Sequence, residues 1–146
     1  MEDKKYRIGI VGLTPGQSWA HFAHLPAIAA QSEKFEITAD PDKIKTAFLN
    51  LFINAIEAMN EGEGVLKIAT NGNQQECRIM IEDNGCGIDK ENLQKLFEPF
   101  FSKKSQGMGL GLTATQNIIL AHKGTIDVES EPGKGTRFVI AFSPAE

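Results

Sequence analysis

The sequence contains few of the residues that build metal centres or disulfide frameworks. Its 146 residues include only two cysteines, Cys77 and Cys86, and three histidines. Two cysteines are too few for a cysteine-rich zinc site or a disulfide scaffold, so a reducing compartment is the expected environment. No apolar run approaches the ~18 residues of a membrane span, and the N-terminus does not have the pattern of a secretory signal. These absences indicate a cytoplasmic protein without a membrane span.

A large excess of charge of either sign is also missing. The chain has 15 Lys and Arg against 19 Asp and Glu, which gives a formal net charge of -4. This slight acidity argues against a nucleic-acid partner that depends on overall charge. With 41% hydrophobic and 23% charged residues, the chain is expected to fold as an ordinary globular protein. Its length suggests one full-sized domain.

The chain divides into two unequal parts near residue 40. Residues 6–13 are a short apolar run typical of a strand, residues 19–30 have roughly helical spacing, and residues 35–39 alternate like a strand. Asp40 is a candidate cap for a long amphipathic helix that reaches about residue 60. The 3, 4, 7 spacing predicts one buried apolar face, formed by Ile44, Ala47, Phe48, Leu51, Phe52, Ala55, Ile56 and Met59. The remaining predicted elements are strands at 65–70 and 76–82, helices at 90–96 and 110–122, and strands at 125–130 and 136–142.

The long amphipathic segment carries a row of polar side chains beside its apolar face. At about 100° per residue, Asn50, Asn54 and Glu57 fall within about 60° of each other. Asparagine is a mediocre helix former, so two of them on one stripe require an explanation. Their oxygens would suit a hydrated Mg²⁺ ion beside phosphate groups. A solvent-exposed helix face is the alternative interpretation.

A glycine-containing turn directly follows the second strand of this part, at residues 81–88 (IEDNGCGI). Gly85 and Gly87 let the backbone turn sharply and approach a flat ligand closely. An ionised Asp83 at the strand end can accept a hydrogen bond from an exocyclic amine such as that of adenine. Taken alone, the motif is also explained by an ordinary Asp-Asn-Gly turn.

The last motif combines phenylalanines, lysines and glycines in front of the second long helix. Residues 96–101 (LFEPFF) and two lysines precede Gly107, Gly109 and Gly111, which open the predicted helix. Three alternate glycines at a helix N-terminus expose backbone N–H groups where the helix dipole also favours an anion, which suits a phosphate. A flexible hinge would explain the glycines equally well, and core packing would explain the phenylalanines.

The order and spacing of these motifs resemble the asparagine box, first glycine box, phenylalanine box and second glycine box of the histidine-kinase ATP-binding domain, in the superfamily that contains gyrase, Hsp90 and MutL. The resemblance covers about residues 40–142, and residues 50–58 (NLFINAIEA) match the kinase branch closely. It implies an α/β two-layer sandwich, with a mixed, mostly antiparallel sheet covered on one face by helices (the Bergerat ATP-binding fold). A β-α-β-like extension would precede this sandwich, and ATP would lie on its helical side.

The resemblance also implies roles for individual residues. Asn54 would order Mg²⁺ and the phosphates, with Asn50 and Glu57 assisting, and Asp83 would bind the adenine amine. The implied ATP-binding set is Asn54, Asp83, Gly85, Gly87, Ile88, Lys103, Gly107, Gly109, Leu110, Gly111, Leu112 and Thr136. Within this set, Gly85, Gly87 and Ile88 would line the base pocket and Thr136 its back. Lys103 and residues 107–111 would supply the lid and the phosphate contacts.

One position separates the kinases from the ATP hydrolases of this superfamily. The hydrolases have a glutamate one turn before the box asparagine, and this chain has Asn50, whose amide cannot act as a general base near neutral pH. The resemblance therefore implies transfer of the γ-phosphate to a histidine on a separate dimerisation domain, with a response regulator as a further partner. His21 and His24 lack the phosphoacceptor pattern, so we expect binding of ATP·Mg²⁺ without self-phosphorylation. Whether the chain alone is an enzyme stays open.

Residues 1–39 do not belong to the kinase pattern. The run at residues 6–13 (YRIGIVGL) with Trp19 and His24 resembles the opening β-α-β unit of a glucose–fructose oxidoreductase or Gal80-like dinucleotide-binding domain, although residues 12–16 depart from the Gly-x-Gly-x-x-Gly fingerprint. We interpret the boundary as a fusion between a 1–39 fragment and a 40–146 ATP-binding domain. Three hypotheses stay open: an ATP-binding kinase domain, an NAD(P)-binding oxidoreductase fragment, and a non-catalytic chimeric scaffold. The simplest expectation is that residues 1–39 add a strand and a helix to the sheet.

Overall fold

A computed structural model of the chain describes residues 7–12 (backbone only), 39–72, 76–102 and 109–143. The elements in these ranges are β1 (Arg7–Gly12), α1 (Pro41–Ala58), β2 (Val65–Gly72), β3 (Cys77–Asp83), α2 (Lys90–Gln94), α3 (Gly111–Ala121), β4 (Gly124–Glu131) and β5 (Gly135–Phe142). Each element predicted between residues 40 and 142 is found close to its predicted bounds. The helix predicted at 19–30 and most of the strand predicted at 35–39 lie outside the described residues.

The five strands of the described ranges form one sheet in the order β1-β2-β3-β5-β4. The pairs β2–β3, β3–β5 and β5–β4 are antiparallel, and β1 is parallel to β2, so the sheet is mixed and mostly antiparallel, as predicted. Parallel neighbours need a long crossover connection, and α1 lies in the segment that joins β1 to β2. The N-terminal segment therefore contributes an edge strand to this sheet, which confirms that part of the simplest expectation.

The helix-covered face of the sheet is defined by alternating residues of the two central strands. Ile79 and Ile81 of β3 lie opposite Ile140 and Phe138 of β5, and all four are buried. Because side chains alternate along a strand, the next position on this face of β3 is Asp83. The same register places Asp83 opposite Thr136. The alternation of side chains along β3 therefore places a buried carboxylate at the end of an otherwise apolar face of the sheet.

Helix α1 covers this face and has a well-defined start. The side chain of Asp40 accepts hydrogen bonds from the N–H groups of Asp42 and Lys43, and Pro41 occupies the first helical position. The buried residues that α1 contributes are Ala47, Phe48, Leu51 and Ala55, all members of the predicted apolar face. In the ranges that the structure covers, no helix has the length and apolar character needed to cross a membrane.

His122 joins the beginning of α1 to the end of α3. The backbone N–H of Asp40 donates to Nε2 of His122 at 2.9 Å, and Nδ1 lies 2.6 Å from the carbonyl oxygen of Ile118. A carbonyl can only accept, so Nδ1 carries the proton and Nε2 provides the lone pair. The imidazole therefore connects the two helices that border the candidate site.

The opposite, open face of the sheet carries a row of charges across four strands. Lys67 pairs with Glu82 at 3.2 Å, Glu82 with Arg137 at 2.6 Å, and Arg137 with Glu129 at 3.4 Å. The hydrogen bond from Arg137 is the main reason that the pKa of Glu82 lies below its ordinary value. Exposed ion pairs of this kind contribute little to stability. The ion pairs do show the orientation of the side chains, because Glu82 points to the open face of the sheet and its neighbour Asp83 to the opposite face.

Candidate functional site

A buried carboxylate at the end of β3 is the centre of the candidate site. Asp83 is 5% exposed, and its Oδ1 accepts hydrogen bonds from the N–H of Gly85 at 2.8 Å and of Thr136 at 3.3 Å. Burial raises the pKa of Asp83 above its ordinary value, and the two backbone hydrogen bonds act in the opposite direction. Both hydrogen bonds end at Oδ1. Oδ2 carries neither of them and is the oxygen that we expect to meet a ligand.

The turn that follows Asp83 is held between the end of α1 and the turn that joins β4 to β5. Cys86 donates its N–H to the carbonyl of Ala58 at 2.9 Å, and its own carbonyl accepts the N–H of Gly133 at 2.8 Å. A Cβ at Gly85 would lie 2.6 Å from the oxygen of Ala58, and one at Gly87 would lie 2.1 Å from the oxygen of Glu131. The sequence indicated glycines that let the backbone approach a ligand. In the structure they let three backbone segments approach each other.

The hydroxyl groups of Ser130 and Thr136 lie beside Asp83, on the two neighbouring strands β4 and β5. Ser130 Oγ accepts the N–H of Ile88 at 2.8 Å, donates to the carbonyl of Gly135 at 2.8 Å, and lies 3.0 Å from Thr136 Oγ1. Thr136 was predicted to be a site residue and Ser130 was not. The signal for Ser130 was available, because it continues the inward-facing alternation of β4 directly opposite Thr136 in the register.

The polar stripe of α1, formed by Asn50, Asn54 and Glu57, extends from the start of α3 to the glycine-containing turn that follows β3. Asn50 is half-buried and donates from Nδ2 to the carbonyl of Gly111 at 3.2 Å, with Thr115 Oγ1 at 3.4 Å. Asn54 lies one helical turn further on, and Ala58, which contacts the first glycine turn, one turn beyond that. Glu57 is exposed at the same end of the helix. The stripe therefore connects the two glycine motifs in space.

The N-terminus of α3 presents the second glycine motif beside Asn50. Its cap residue, Leu110, makes no side-chain hydrogen bond to the first turn. The N–H groups that open an α-helix have no partner within the helix, so this end can receive an anion. Gly109 has φ +65°, and a Cβ there would lie 2.5 Å from the carbonyl carbon of Phe100. Leu112 packs against the core. Lys103 and Gly107 lie outside the described residues.

The phenylalanine motif separates into core and surface positions. Leu96 is buried and Phe97 packs against the core, and the carbonyl of Phe97 accepts a hydrogen bond from Thr113 Oγ1 at 3.0 Å. Phe100 is 77% exposed and has φ +66°. The N–H of Phe100 donates to the carbonyl of Gly109 at 3.0 Å. Core packing thus explains part of the motif, and the remainder supports the backbone in front of α3.

Thr115 is a second residue of the site that the sequence analysis missed. Its side chain is completely buried, and its Oγ1 donates to the carbonyl of Gly111 at 2.9 Å, with the carbonyl of Ala47 at 3.4 Å. The available signal was a threonine four residues before Ile119, on the buried stripe of α3.

The arrangement brings together groups that suit the two ends of a nucleotide. A buried carboxylate and two hydroxyls lie together at the end of β3, and the amide of Asn50 lies beside the start of α3, whose cap residue makes no side-chain hydrogen bond. Asparagine oxygens are acceptable ligands for Mg²⁺, which keeps several waters and binds jointly to protein oxygens and phosphates. Asn54 and Asn50 would be the residues beside such an ion, and it would neutralise phosphate charge.

Comparison with protein families and curated proteins gives consistent matches. A family model described as "Histidine kinase-, DNA gyrase B-, and HSP90-like ATPase" matches residues 39–146. The sensor histidine kinase ZraS of Klebsiella oxytoca is 45% identical over 114 residues, covering 75% of this chain and 24% of that protein. Sporulation kinase B of Bacillus subtilis (strain 168) is 40% identical over 129 residues, covering 88% of this chain and 30% of that protein. The chain thus spans less than a third of these relatives.

Solved structures show the same fold. The catalytic domain of histidine kinase ThkA, in a nucleotide-free form, superimposes with a TM-score of 0.64 at 36% identity, over 73% of this chain and 69% of that one. The mycobacterial sensor histidine kinase MprB gives a TM-score of 0.72 at 22% identity, over 95% of this chain and 82% of that one. These likenesses confirm the predicted two-layer sandwich. The resemblance of residues 1–39 to an oxidoreductase finds no support in these comparisons.

Proposed function

Because the chain belongs to the histidine kinase-, DNA gyrase B- and HSP90-like ATPase family, we propose that residues 40–146 hold ATP·Mg²⁺. Its γ-phosphate would be transferred to a histidine of a separate dimerisation domain. Homology to the catalytic ATP-binding domains of sensor histidine kinases supports this proposal. The observation that carries this proposal is the contact between Asn50 and Gly111. This contact joins the predicted metal-binding stripe to the predicted phosphate-binding helix start.

The adenine end of the nucleotide would lie against Asp83. Its Oδ2 would accept the exocyclic amine, since Oδ1 is used by the N–H groups of Gly85 and Thr136. Gly85, Gly87 and Ile88 would line the base, and Thr136 would close the back of the pocket. The position of Asp83 at the end of an apolar face supports this role, because a flat aromatic base needs apolar contact as well as one specific polar partner.

The phosphate end would lie between α1 and the start of α3. Asn54, assisted by Asn50 and Glu57, would hold Mg²⁺ through oxygen and water. The N–H groups that follow Leu110 would receive phosphate oxygens, and Lys103 and Gly107 would contribute from the lid that the family resemblance implies. Positioning and charge neutralisation are the main requirements of phosphoryl transfer, so this set is sufficient without a general base.

The identity of residue 50 favours transfer over hydrolysis. An amide at this position cannot remove a proton from water near neutral pH. In the structure its nitrogen is also directed to a backbone carbonyl, which holds the side chain in place. The acceptor histidine, the dimerisation domain and the response regulator would be separate partners, and a cytoplasmic location would supply the ATP. Residues 1–39 would contribute β1 to the sheet, and no observation favours NAD(P) binding by them.

Asn54→Ala is expected to remove most of the stabilisation that ATP·Mg²⁺ gives to the chain. At a ligand concentration 100 times Kd, binding contributes about 2.7 kcal/mol, which corresponds to a rise in Tm of about 5–10 °C. The rise in Tm is taken from the unliganded Tm of the same variant, so a change in the stability of Asn54→Ala itself does not enter the comparison.

The measurement is thermal unfolding with ATP·Mg²⁺, ATP without metal, and NAD. Asn60→Ala, just beyond the end of α1, is the matched control and should keep the full ATP·Mg²⁺ shift. A shift with NAD that equals or exceeds the shift with ATP·Mg²⁺ would contradict the proposal. Equal shifts for Asn54→Ala and the wild type would remove Asn54 from the site.

Phosphoryl transfer is expected to occur to another chain and not within this one. Incubation with γ-labelled ATP and a purified, histidine-bearing dimerisation domain of a sensor kinase should place acid-labile label on that domain. The chain alone should acquire none, since His21 and His24 lack the phosphoacceptor pattern and His122 uses both ring nitrogens in structural contacts. Acid-labile label on the chain itself, or release of phosphate far faster than transfer, would show a different reaction.

A further inference from the structure

Three polar groups lie between α1 and α3: the hydroxyl of Thr115, the side-chain amide of Asn50 and the carbonyl of Gly111. Each hydrogen-bond donor among them faces an acceptor. Thr115 Oγ1 donates its single proton towards the carbonyl of Gly111 at 2.9 Å. Asn50 Nδ2 donates to the same carbonyl at 3.2 Å and faces Thr115 Oγ1 at 3.4 Å. Thr115 is completely buried, whereas Asn50 is half-buried. The hydroxyl thus lies behind the amide, on the side away from solvent.

This arrangement fixes which end of the Asn50 amide faces inwards. A backbone carbonyl can only accept a hydrogen bond, so the atom of Asn50 beside Gly111 must be the nitrogen. The hydroxyl proton of Thr115 is directed to a carbonyl, which leaves an oxygen lone pair for a second amide proton of Asn50. With both inward partners acting as acceptors, the nitrogen of Asn50 takes the inner position, and Oδ1 lies beside the start of α3, 4.0 Å from where a Cβ of Gly111 would be.

We infer that Thr115 is a positioning residue, which holds the amide of Asn50 so that its oxygen, and not its nitrogen, faces the metal and phosphates. The inference rests on the proposed binding of ATP·Mg²⁺ by this chain. A nitrogen in that place would present a donor to a cation, so orientation decides whether Asn50 helps or hinders. Thr115 does not need to touch the nucleotide for this role.

Thr115→Val is the test variant, because valine has the same shape and branching as threonine and lacks only the hydroxyl. Valine introduces no buried polar atom, and the carbonyl of Gly111 keeps its hydrogen bond from Asn50, so the fold should be retained. Thr113→Val is the matched control. It removes a hydroxyl from the same helix, one that bonds to the carbonyl of Phe97 and not to Asn50.

Two measurements separate positioning from general damage. The first is affinity by calorimetry for ATP with Mg²⁺ and for ADP without it. Thr115→Val is expected to weaken ATP·Mg²⁺ binding about fivefold, the equivalent of one lost hydrogen bond, and to leave metal-free ADP within about twofold. Thr115→Ser should restore the wild-type value. The second is the NMR signal of the Asn50 side-chain amide in the chain without ligand, which should change in Thr115→Val and not in Thr113→Val.

The outcomes that overturn the inference are distinct from failure of the proposed function. If the wild-type chain binds no ATP·Mg²⁺, the proposed function falls, and an unchanged Asn50 amide signal in Thr115→Val would overturn the positioning role as well. If the wild type binds but Thr115→Val loses affinity equally with and without metal, Thr115 has only a structural role. Failure of Thr115→Ser to restore the affinity leads to the same conclusion.

Discussion

Asp83→Asn is expected to lower the affinity for ATP about 100-fold, which corresponds to ~2.7 kcal/mol of binding free energy. The reason is the direction of the existing hydrogen bonds. The N–H groups of Gly85 and Thr136 both need an acceptor at the position of Oδ1. Asparagine can satisfy them only with its oxygen, so its NH₂ group would replace Oδ2. A donor would then face the exocyclic amine of adenine, which is also a donor.

The same substitution should not reduce the stability of the fold at neutral pH. Burial raises the pKa of Asp83 in the folded state. A group whose folded pKa is raised contributes stability below its unfolded pKa, and that contribution is lost as pH rises through the folded value. Ionisation of Asp83 as pH rises therefore costs stability, and the neutral amide avoids this cost. The free energy of unfolding of Asp83→Asn should equal or exceed that of the wild type at pH 7. This advantage should shrink towards the ordinary aspartate pKa of about 3.9.

Glu82→Gln is the matched control for this prediction. It makes the same change of charge one residue earlier, on the open face of the sheet, where Glu82 pairs with Arg137 and Lys67. Its ATP affinity should stay within about twofold of the wild type, because its two ion pairs lie on the face of the sheet opposite Asp83 and surface pairs contribute little.

A change of base gives a second check. Inosine triphosphate has an acceptor in place of the amine, so Asp83→Asn should reduce or reverse the preference for ATP over inosine triphosphate. An unchanged preference, or an unchanged affinity for ATP, would show that Asp83 does not contact the base.

The sequence predicted the fold of residues 40–142 well because its elements are specified by local patterns. The apolar spacing of α1 identified Ala47, Phe48 and Leu51 as buried, and all three are. Alternation identified the strands, and the register follows from which face is buried. Asp83 is the clearest case, since its place at the end of an alternating strand already determined which face it joins.

Local patterns could not predict contacts between segments that are far apart in the sequence. Nothing local indicates that Asn50 meets Gly111, 61 residues later, or that the backbone of Cys86 is held by both Ala58 and Gly133. The hydrogen bonds that Thr115 and Ser130 make to Asn50 and Ile88 could not be predicted for the same reason. A polar residue on a buried face can be recognised from spacing, but its partner depends on how helices and strands pack. The family resemblance supplied roles for the motif residues and none for these supporting ones.

Gly135→Ala is expected to destabilise the fold strongly, by about 3–5 kcal/mol. Gly135 opens β5 directly before Thr136 and has φ +105°. An added Cβ would lie 1.9 Å from the carbonyl oxygen of Asp83. The oxygen is a backbone atom and the Cβ is fixed directly to the backbone of the paired strand, so the collision can be relieved only by separating β3 from β5. The pocket wall would be lost together with the stability.

Gly133→Ala separates this collision from the cost of the backbone conformation alone. Gly133 has φ +80° in the same turn, and an added Cβ there would have no atom within 4 Å. Its cost should be only the strain of a left-handed residue, about 1–2 kcal/mol. Urea unfolding of both variants measures the difference directly. Equal losses in the free energy of unfolding would mean that β3 and β5 separate at little cost near Gly135 and that Asp83 is not held rigidly. A large loss for Gly135→Ala alone would show that the position of the Asp83 carboxylate depends on close contact between the backbones of β3 and β5.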